Sequence, residues 1–398
     1  MNEFDANSEN NVQKESAATP ATPFEEPELT AETEPQNEPQ PQPEPQPQPE
    51  PVVGGNVYQP INPQYGGIPN TPQFDEIYRE KMSVRRLGNA VGFPVSMFII
   101  ASTVIILILQ AVLLSIYGYI GTLEILSDPD MNYLISAGLS VFLLTVPYIF
   151  TVKMTNTKFR DLMPFKKISA SLTVSLVMTG IGVCALSNYA TSTFAMLLQE
   201  FFKIKVEGGM PDYGTDLKSF LLMLLCVGIL PALLEEFALR GVVLGVLRKK
   251  FSDGAAVMIS SILFALLHGN LQQIPFAFGV GLILGYATVY SGSMLPAIII
   301  HGFNNSLQVV MSFATASMSP MVNTVISLLY FAVALLVGIC GFIMLIKTDS
   351  KAFSLSKERS ENTKKYFGWF CTSGWIIVFF ALCALEVALA QGWIKISI

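Results

Sequence analysis

The run GFPVSMFIIASTVIILILQAVLLSIYGYI, residues 92–120, decides the fold class of this chain. It contains no acidic or basic side chain and is longer than the about 20 apolar residues that a helix needs to cross a bilayer. Lipid cannot satisfy the backbone of loops or open strands, so we predict a membrane-spanning helix. The whole chain is 51% hydrophobic and only 14% charged, whereas soluble proteins carry about 25% charged residues. This composition argues against an ordinary soluble enzyme.

Similar apolar runs recur along the chain, separated by short polar gaps. We predict nine spans at about 92–120, 132–152, 169–198, 218–247, 253–269, 272–290, 293–315, 320–346 and 367–390. The predicted fold is therefore an all-α polytopic membrane protein of about nine transmembrane helices, with a buried active-site cavity. Gly281 and Gly285 form a Gly-x-x-x-Gly pair, which predicts close helix packing in the sixth span.

The charges in the gaps predict the orientation. The basic clusters are Arg79 to Arg86, Lys153 to Lys167, Arg248 to Lys250 and Lys347 to Lys365. These clusters alternate with acidic or neutral gaps such as the one around Asp128 and Asp130. Lysine and arginine are enriched on the cytoplasmic side. We therefore expect a cell-membrane protein with a cytoplasmic N-terminus and a short external C-terminus, residues 391–398.

Residues 1–74 differ from the rest of the chain. They contain twelve acidic residues, one lysine and fifteen of the 24 prolines. Such a segment buries too little apolar surface to offset its ordering entropy, so we predict a disordered cytoplasmic tail. A basic juxtamembrane segment, 75–91, follows, and the membrane domain is predicted to cover 92–390. The first twenty residues are polar, so we expect no signal peptide and expect the first span to direct insertion.

The five cysteines all fall within apolar runs and show no Cys-x-x-Cys spacing. They are interpreted as small reduced hydrophobic residues, with no indication of a disulfide framework or a cysteine zinc site.

Three ionisable residues lie inside the fourth predicted span, in the string EEFALR. Such residues cost several kcal/mol at membrane depth and are functional candidates by default. Glu236 and Arg240 are four residues apart with the acid first, which favours an ion pair on a helix. Glu235 differs in direction by about 100° and must find another partner. Pro231 removes one backbone bond and indicates a kink beside Glu235.

The only two histidines of the chain also lie in predicted spans. His268 ends the fifth span, and His301 lies in the seventh. Asn305 follows His301 by four residues and shares its helix face, whereas Asn304 points further away. A lone buried histidine is normally a core residue, but two histidines confined to spans that also hold buried acids indicate function.

These side chains suit hydrolysis. A carboxylate beside an imidazole can hold and deprotonate a water molecule. A second imidazole with an asparagine amide supplies donors for a developing oxyanion. No serine or cysteine nucleophile motif and no His-Glu-x-x-His motif accompanies them.

Three motifs in this order carry a resemblance to a known family: Glu235-Glu236-x-x-x-Arg240, Phe264-x-x-x-His268 and His301-x-x-x-Asn305. They resemble the CPBP family, which comprises the type II CAAX prenyl endopeptidases and the bacteriocin-processing or self-immunity (Abi) proteins. The resemblance covers about 218–310. It implies an intramembrane endopeptidase, in which Glu235 and His268 activate water while His301 and Asn305 stabilise the oxyanion. Glu236, Arg240 and Phe264 are the implied supporting residues.

The family is often called a metalloprotease family, so zinc stays an alternative. Its ligands would be Glu235, His268 and His301, a set known from catalytic zinc sites. The three come singly from separate helices, and Asn305 suits an oxyanion better than a metal. We therefore expect a glutamate-type mechanism without a cofactor.

Two other function classes stay open. A membrane immunity or scaffold protein could share the fold without proteolysis, and a proton or ion transporter could use intramembrane Glu and His. Many transporters show internal repeats with broken helices, and the sequence shows none. The expected partners are the bilayer and a membrane or membrane-associated peptide or protein substrate, with no nucleic acid. The sequence does not identify the substrate or the oligomeric state.

Overall fold

The structure is a computed structural model that describes residues 72–204, 216–349, 352 and 362–393. The predicted disordered tail lies outside the described residues up to residue 71. Where the chain is described, its regular elements are helices, and the only extended pairing is an isolated bridge between Phe165 and Ser293. The predicted all-helical class is confirmed.

The described residues contain eleven helices. They are α1 (Pro72–Ser127), α2 (Pro129–Met154), α3 (Phe159–Leu162), α4 (Ala170–Phe202), α5 (Leu217–Leu247), α6 (Asp253–Leu266), α7 (Gln273–Ser291), α8 (Leu295–Thr315), α9 (Pro320–Thr348), α10 (Thr363–Cys371) and α11 (Gly374–Ala390). α1 is interrupted at Gly118, whose φ of 69° lies in the left-handed region. The predicted basic segment and the first predicted span both lie on α1.

By length and composition, the described residues support fewer than the nine predicted spans. Among the described residues, six helices are long and apolar enough to cross a membrane, and α10 with α11 would add a seventh despite a 69° bend between them. α6 has only 14 residues, fewer than the about 20 that a span needs. α8 is long enough at 21 residues, but His301, Asn304 and Asn305 lower its hydropathy. The chain is a multi-pass membrane protein.

Contacts between the connecting segments define one end of the molecule, called here the basic end. Lys249 donates a hydrogen bond to Thr157, and the backbone nitrogen of Met294 donates to the Pro164 carbonyl over 2.8 Å. Tyr290, near the end of α7, donates to Asp349 just after α9, over 2.6 Å. α6 and α8 therefore start at the basic end, and α7 and α9 return to it. Each helix of this group runs between the basic end and the opposite side.

α5 is not a regular α-helix. It contains two π-helical segments, Leu224–Ile229 and Glu236–Val243, on either side of a short α-helical stretch that holds Pro231 and Glu235. π-Segments widen a helix locally and occur often at functional sites. Pro231, at which the sequence indicated a kink, lies in the short α-helical stretch itself, and the irregularity extends over more of the helix than one missing hydrogen bond explains.

Glycine brings two helix pairs close together. A Cβ on Gly281 of α7 would lie 3.0 Å from the Ser261 Cβ of α6, and one on Gly285 would lie 3.0 Å from a Val257 methyl carbon. The predicted close packing at Gly-x-x-x-Gly is therefore present between α7 and α6. Gly182 of α4 and Gly338 of α9 approach still more closely, because a Cβ on Gly182 would lie 2.6 Å from the Gly338 Cα.

Candidate active site

α5 and α8 pack along each other in opposite directions, which places the acidic pair beside the second histidine. A Cβ on Gly228 would lie 2.9 Å from the Ser306 hydroxyl oxygen, and one on Gly302 would lie 3.7 Å from the Ala232 Cβ. Residue numbers thus rise on one helix as they fall on the other. The same register brings the acidic pair of α5 level with His301.

Glu236 is the centre of a buried network. One oxygen, Oε1, lies 3.2 Å from Arg240 Nη1 and 2.9 Å from His301 Nδ1. The side chains of Glu236 and Arg240 are 0% and 1% exposed, so neither charge is solvated. A buried charge is tolerated only with close partners. Since the carboxylate can only accept, Nδ1 of His301 carries the hydrogen, and Glu236 holds the ring in one orientation.

Glu235 has a different environment. Its Oε2 lies 3.6 Å from His301 Nε2, and its side chain is 21% exposed. The two acids thus approach the two nitrogens of one imidazole, one from each side. With Arg240 and a protonated His301, the two positive charges would balance the two carboxylates. Glu235 is the more accessible carboxylate, which suits contact with water or substrate.

Phe264 joins the remaining parts of the site. Its ring contacts His268 edge-on with a centroid separation of 5.0 Å, and His301 edge-on at 5.8 Å. The guanidinium carbon of Arg240 lies 4.3 Å from the centre of the same ring, a cation–π distance. Arg240 Nη2 also donates to the Gly281 carbonyl over 3.4 Å. Phe264 therefore separates and orients the two imidazoles.

His268 lies just beyond the end of α6, in the turn that leads to α7, and not within the helix as the sequence predicted. Its Nδ1 is 2.9 Å from the Phe264 carbonyl oxygen. A carbonyl only accepts, so Nδ1 carries the hydrogen and Nε2 of the neutral ring is an acceptor. This tautomer gives His268 the nitrogen lone pair that a proton acceptor needs.

The two asparagines of α8 are in contact. Asn304, which is buried, donates from Nδ2 to Asn305 Oδ1 over 3.1 Å. The amide nitrogen of Asn305, on the predicted face with His301, is left as a donor. Asn304 therefore holds the side chain of Asn305 in one orientation.

One buried group near the site was not singled out from the sequence. Tyr148 of α2 is fully buried, and its hydroxyl has no hydrogen-bond partner among the described residues. The side chain lies within electrostatic range of Glu235. A tyrosine in an apolar span gives no sequence signal of such a position, since tyrosine is common in membrane helices.

The alternative zinc site does not fit the arrangement of the side chains. Throughout the described ranges, no three His, Cys, Asp or Glu side chains form a group that could hold a metal ion. Glu235 and His301 are neighbours, and His268 does not complete a ligand set with them. His301 also has Glu236 at its second nitrogen, as metal-bound histidines often do, but two neighbouring donors are fewer than the three protein ligands of a catalytic zinc site.

Comparison with known proteins identifies the segment that contains every candidate site residue predicted from the sequence. Residues 217–307 match the family model described as type II CAAX prenyl endopeptidase Rce1-like. The membrane-embedded CAAX protease MroQ of Staphylococcus aureus (strain USA300) is 34% identical over 90 residues, which are 21% of this chain and 36% of that protein. The chain thus spans about a third of the length of this curated relative. No solved structure matches the chain. The resemblance that the motifs indicated is confirmed for this segment.

Proposed function

From the match of residues 217–307 to the Rce1-like type II CAAX prenyl endopeptidase family model, we propose that the protein is an intramembrane endopeptidase. It hydrolyses a peptide bond of a membrane or membrane-associated protein with an activated water molecule. The observation that carries this proposal is the buried contact of Glu235 and Glu236 with opposite nitrogens of His301. A scaffold gains nothing from so costly an arrangement.

Glu235 and His268 are the proposed bases. Glu235 is partly exposed, and the Nδ1 hydrogen bond of His268 leaves its Nε2 as an acceptor. Either group can take a proton from water as the water oxygen attacks the carbonyl carbon, and general-base catalysis of this kind contributes about 10² to 10⁴-fold. The proton then passes to the leaving amine.

His301 and Asn305 are the proposed oxyanion donors. Glu236 accepts from Nδ1 of His301, so a protonated ring presents Nε2–H on its other side. Asn305 contributes its free amide hydrogens. Glu236, Arg240 and Phe264 hold these groups in place, and preorganised donors in a site shielded from water stabilise the developing charge.

The orientation we propose has a cytoplasmic N-terminus and an external C-terminus. The joining of basic segments at one end supports it, because lysine and arginine are retained on the cytoplasmic side. We also propose that α6 and α8 complete nine traverses, since each starts at the basic end. Labelling single cysteines at positions 128 and 158, in a chain without the five native cysteines, should report opposite sides. Labelling of both positions from outside would refute the orientation.

The activity is tested with the Glu235→Gln variant. Full-length wild-type protein in vesicles should cleave a membrane protein that the variant binds but does not cleave. Proteins captured on the variant in native membranes, identified by mass spectrometry, supply that substrate. We expect cleavage to fall at least about 10²-fold in the variant, with unchanged thermal unfolding. If the variant keeps the cellular phenotype of the wild type, the protein acts without proteolysis.

A further inference from the structure

A cavity of about 920 Å³ lies beside the site, at the basic end of the molecule. Its walls are mostly apolar and come from three parts of the chain. Phe165 belongs to the segment between α3 and α4, Leu233 and Phe237 to α5, and Met294 and Ile298 to α8. A concave apolar space with a few polar groups is typical of a ligand site.

The cavity lies next to His301 and to Glu236, which contacts His301. On α5, Leu233 lines the cavity and is three residues before Glu236, so the two share a helix face. On α8, Met294, Ile298 and His301 share one helix face, because steps of four and three residues nearly complete a turn. Ile298 is thus about 4.5 Å from His301 along the helix axis, and Met294 about 10 Å. The cavity runs from about one helical turn beyond His301 to the basic end.

Two cations line the outer part of the cavity, Arg160 and Lys166. Both side chains are exposed, and neither forms an ion pair or side-chain hydrogen bond with any residue that the structure describes. The lining holds one acid, Asp161, which interacts with Lys249. Burial lowers the pKa of Lys249, and the charge of Asp161 opposes that shift. Arg160 and Lys166 are thus exposed cations on the cavity wall with no described ion-pair partner, and both are available to a ligand.

We propose that this cavity binds the substrate chain beside the scissile bond, and that Arg160 and Lys166 recognise an aspartate or glutamate side chain on it. The inference rests on the proposed peptidase function. The apolar walls fit the apolar side chains of a membrane substrate, and the two cations fit one carboxylate. A guanidinium and an ammonium together offer several donors to its oxygens.

The open outer end favours a side chain over a terminal carboxylate. Phe165 is 62% exposed, and Phe159, which also lines the cavity, is 52% exposed. A chain can therefore continue past the cations, whereas a terminal carboxylate needs no exit. The about 10 Å from His301 to Met294 equals about three extended residues. We therefore place the acidic residue about three positions from the cleaved bond.

The test uses a series of synthetic peptides and the full-length protein in phosphatidylcholine vesicles. Each peptide has ten residues of Leu, Ala and Met, with one glutamate moved through every position, and an all-apolar peptide is the reference. Cleavage sites are read by mass spectrometry. We expect the wild type to prefer glutamate at one position about three residues from the cut, with a KM about fivefold lower than for glutamine there, as for an exposed charge pair.

The Arg160→Ala/Lys166→Ala double variant should lose this preference, so that the glutamate and glutamine peptides have the same KM. The matched control is Lys167→Ala, which removes an exposed neighbouring cation outside the cavity lining and should keep the preference. A chain with Arg160→Glu/Lys166→Glu should prefer lysine at the same position.

Three outcomes would overturn the inference. One is a wild type that cleaves the series without regard to glutamate, and another is a double variant that keeps the preference. The third is a preference that depends only on a free C-terminus and vanishes on amidation. Failure of the proposed function is distinguishable from these, because the wild type would then cleave the reference peptide no faster than the Glu235→Gln protein does.

Discussion

Two glycine-mediated helix contacts in this molecule have different surroundings. At the contact of α4 with α9, Gly182 and Gly338 meet backbone to backbone, and the shallow cavity beside them is lined mainly by apolar side chains such as Val183 and Leu335. At the contact of α6 with α7, Gly281 and Gly285 meet side chains of α6, and the same surface includes Phe264 and the carbonyl that accepts from Arg240.

The difference separates packing from chemistry. The lining of the tighter contact, between α4 and α9, includes no Asp, Glu, Lys, Arg or His side chain. The looser contact positions Phe264, and through it both histidines. Close packing by itself therefore gives no sign of function in this fold, and the convergence of charged and polar side chains does. Substitutions at the two contacts should separate loss of stability from loss of activity.

The largest loss of stability is expected at the buried ion pair of Glu236 with Arg240, which adjoins the contact of α6 with α7. Arg240→Met leaves the Glu236 carboxylate buried and without its cation, and breaking such a pair costs about 3 to 5 kcal/mol. We expect the temperature of thermal unfolding in detergent to fall strongly and cleavage to be lost.

The matched control is Arg248→Met. Arg248 pairs with Asp253 at 2.7 Å, but its side chain is 34% exposed, and an exposed pair is worth at most about 1 kcal/mol. Equal losses of stability in the two variants would contradict the network.

Gly182→Ala should have the next largest effect on stability. The new methyl would lie 2.6 Å from the Gly338 Cα, so the two backbones must separate, and overpacking costs about 1 to 3 kcal/mol. Because no site residue touches this contact, cleavage per folded molecule should stay at the wild-type value. Activity and the folded fraction are measured on the same preparation.

Gly138→Ala serves as the control for this substitution. Gly138 lies within α2 and has nothing within 4 Å of an added Cβ. Alanine is favoured over glycine in a helix by about 1 kcal/mol, so this variant should be as stable as the wild type or slightly more so. A Gly182→Ala protein that is equally stable would show that α4 and α9 do not meet at this point.

The sequence predicted the components of the site better than their pairing. The ion pair of Glu236 with Arg240, inferred from their spacing, is present. The sequence also indicated that Glu235 needs a partner other than Arg240, but it did not identify that partner. In the structure the neighbour of Glu235 is His301. That pairing depends on how α5 is rotated against α8, and the two π-helical segments of α5 change this rotation. Pro231 indicated an irregular helix, but not its type or length.

The two glycine contacts also differ in how far the sequence predicted them. Gly281 and Gly285 carry a recognised spacing on one helix, and their close packing was predictable. Gly182 and Gly338 are far apart in sequence, and their contact depends on how two distant helices pair, which the sequence did not predict. By length and composition fewer than nine spans are supported, because an apolar run of sufficient hydropathy does not reveal where its helix ends. α6 ends at Leu266, which places His268 in a turn.

Gly281→Ala should reverse the result expected for Gly182→Ala. The new methyl would lie 3.0 Å from the Ser261 Cβ and 3.3 Å from a ring carbon of Phe264, so α6 must shift by only a few tenths of an ångström. We expect a stability loss near the lower limit of overpacking, about 1 kcal/mol. Small misplacements of catalytic groups can cost about 10²-fold in rate, so we expect kcat to fall about tenfold with KM nearly unchanged. A fall in stability without a fall in kcat would show that this contact, too, serves packing alone.

The smallest effect on activity is expected at Glu386, and this substitution tests whether the candidate site extends to α11. Glu386 lies near the end of α11, and its Oε2 is 3.0 Å from the position of a Cβ on Gly269, the residue after His268. Its closeness to the site makes it a tempting extra acid. However, it forms no ion pair or hydrogen bond with any described residue, and His268 Nδ1 is already satisfied by the Phe264 carbonyl.

Glu386→Gln keeps the shape of the side chain and removes only its charge. We therefore expect kcat/KM within about twofold of the wild type and stability within about 0.5 kcal/mol, as for substitutions away from such networks. The Glu235→Gln variant, assayed in parallel, shows the loss expected for an acid that takes part. A well-folded Glu386→Gln protein with a tenfold or larger loss would extend the site to α11 and show that a side chain can serve the reaction without a direct contact to the network around His301.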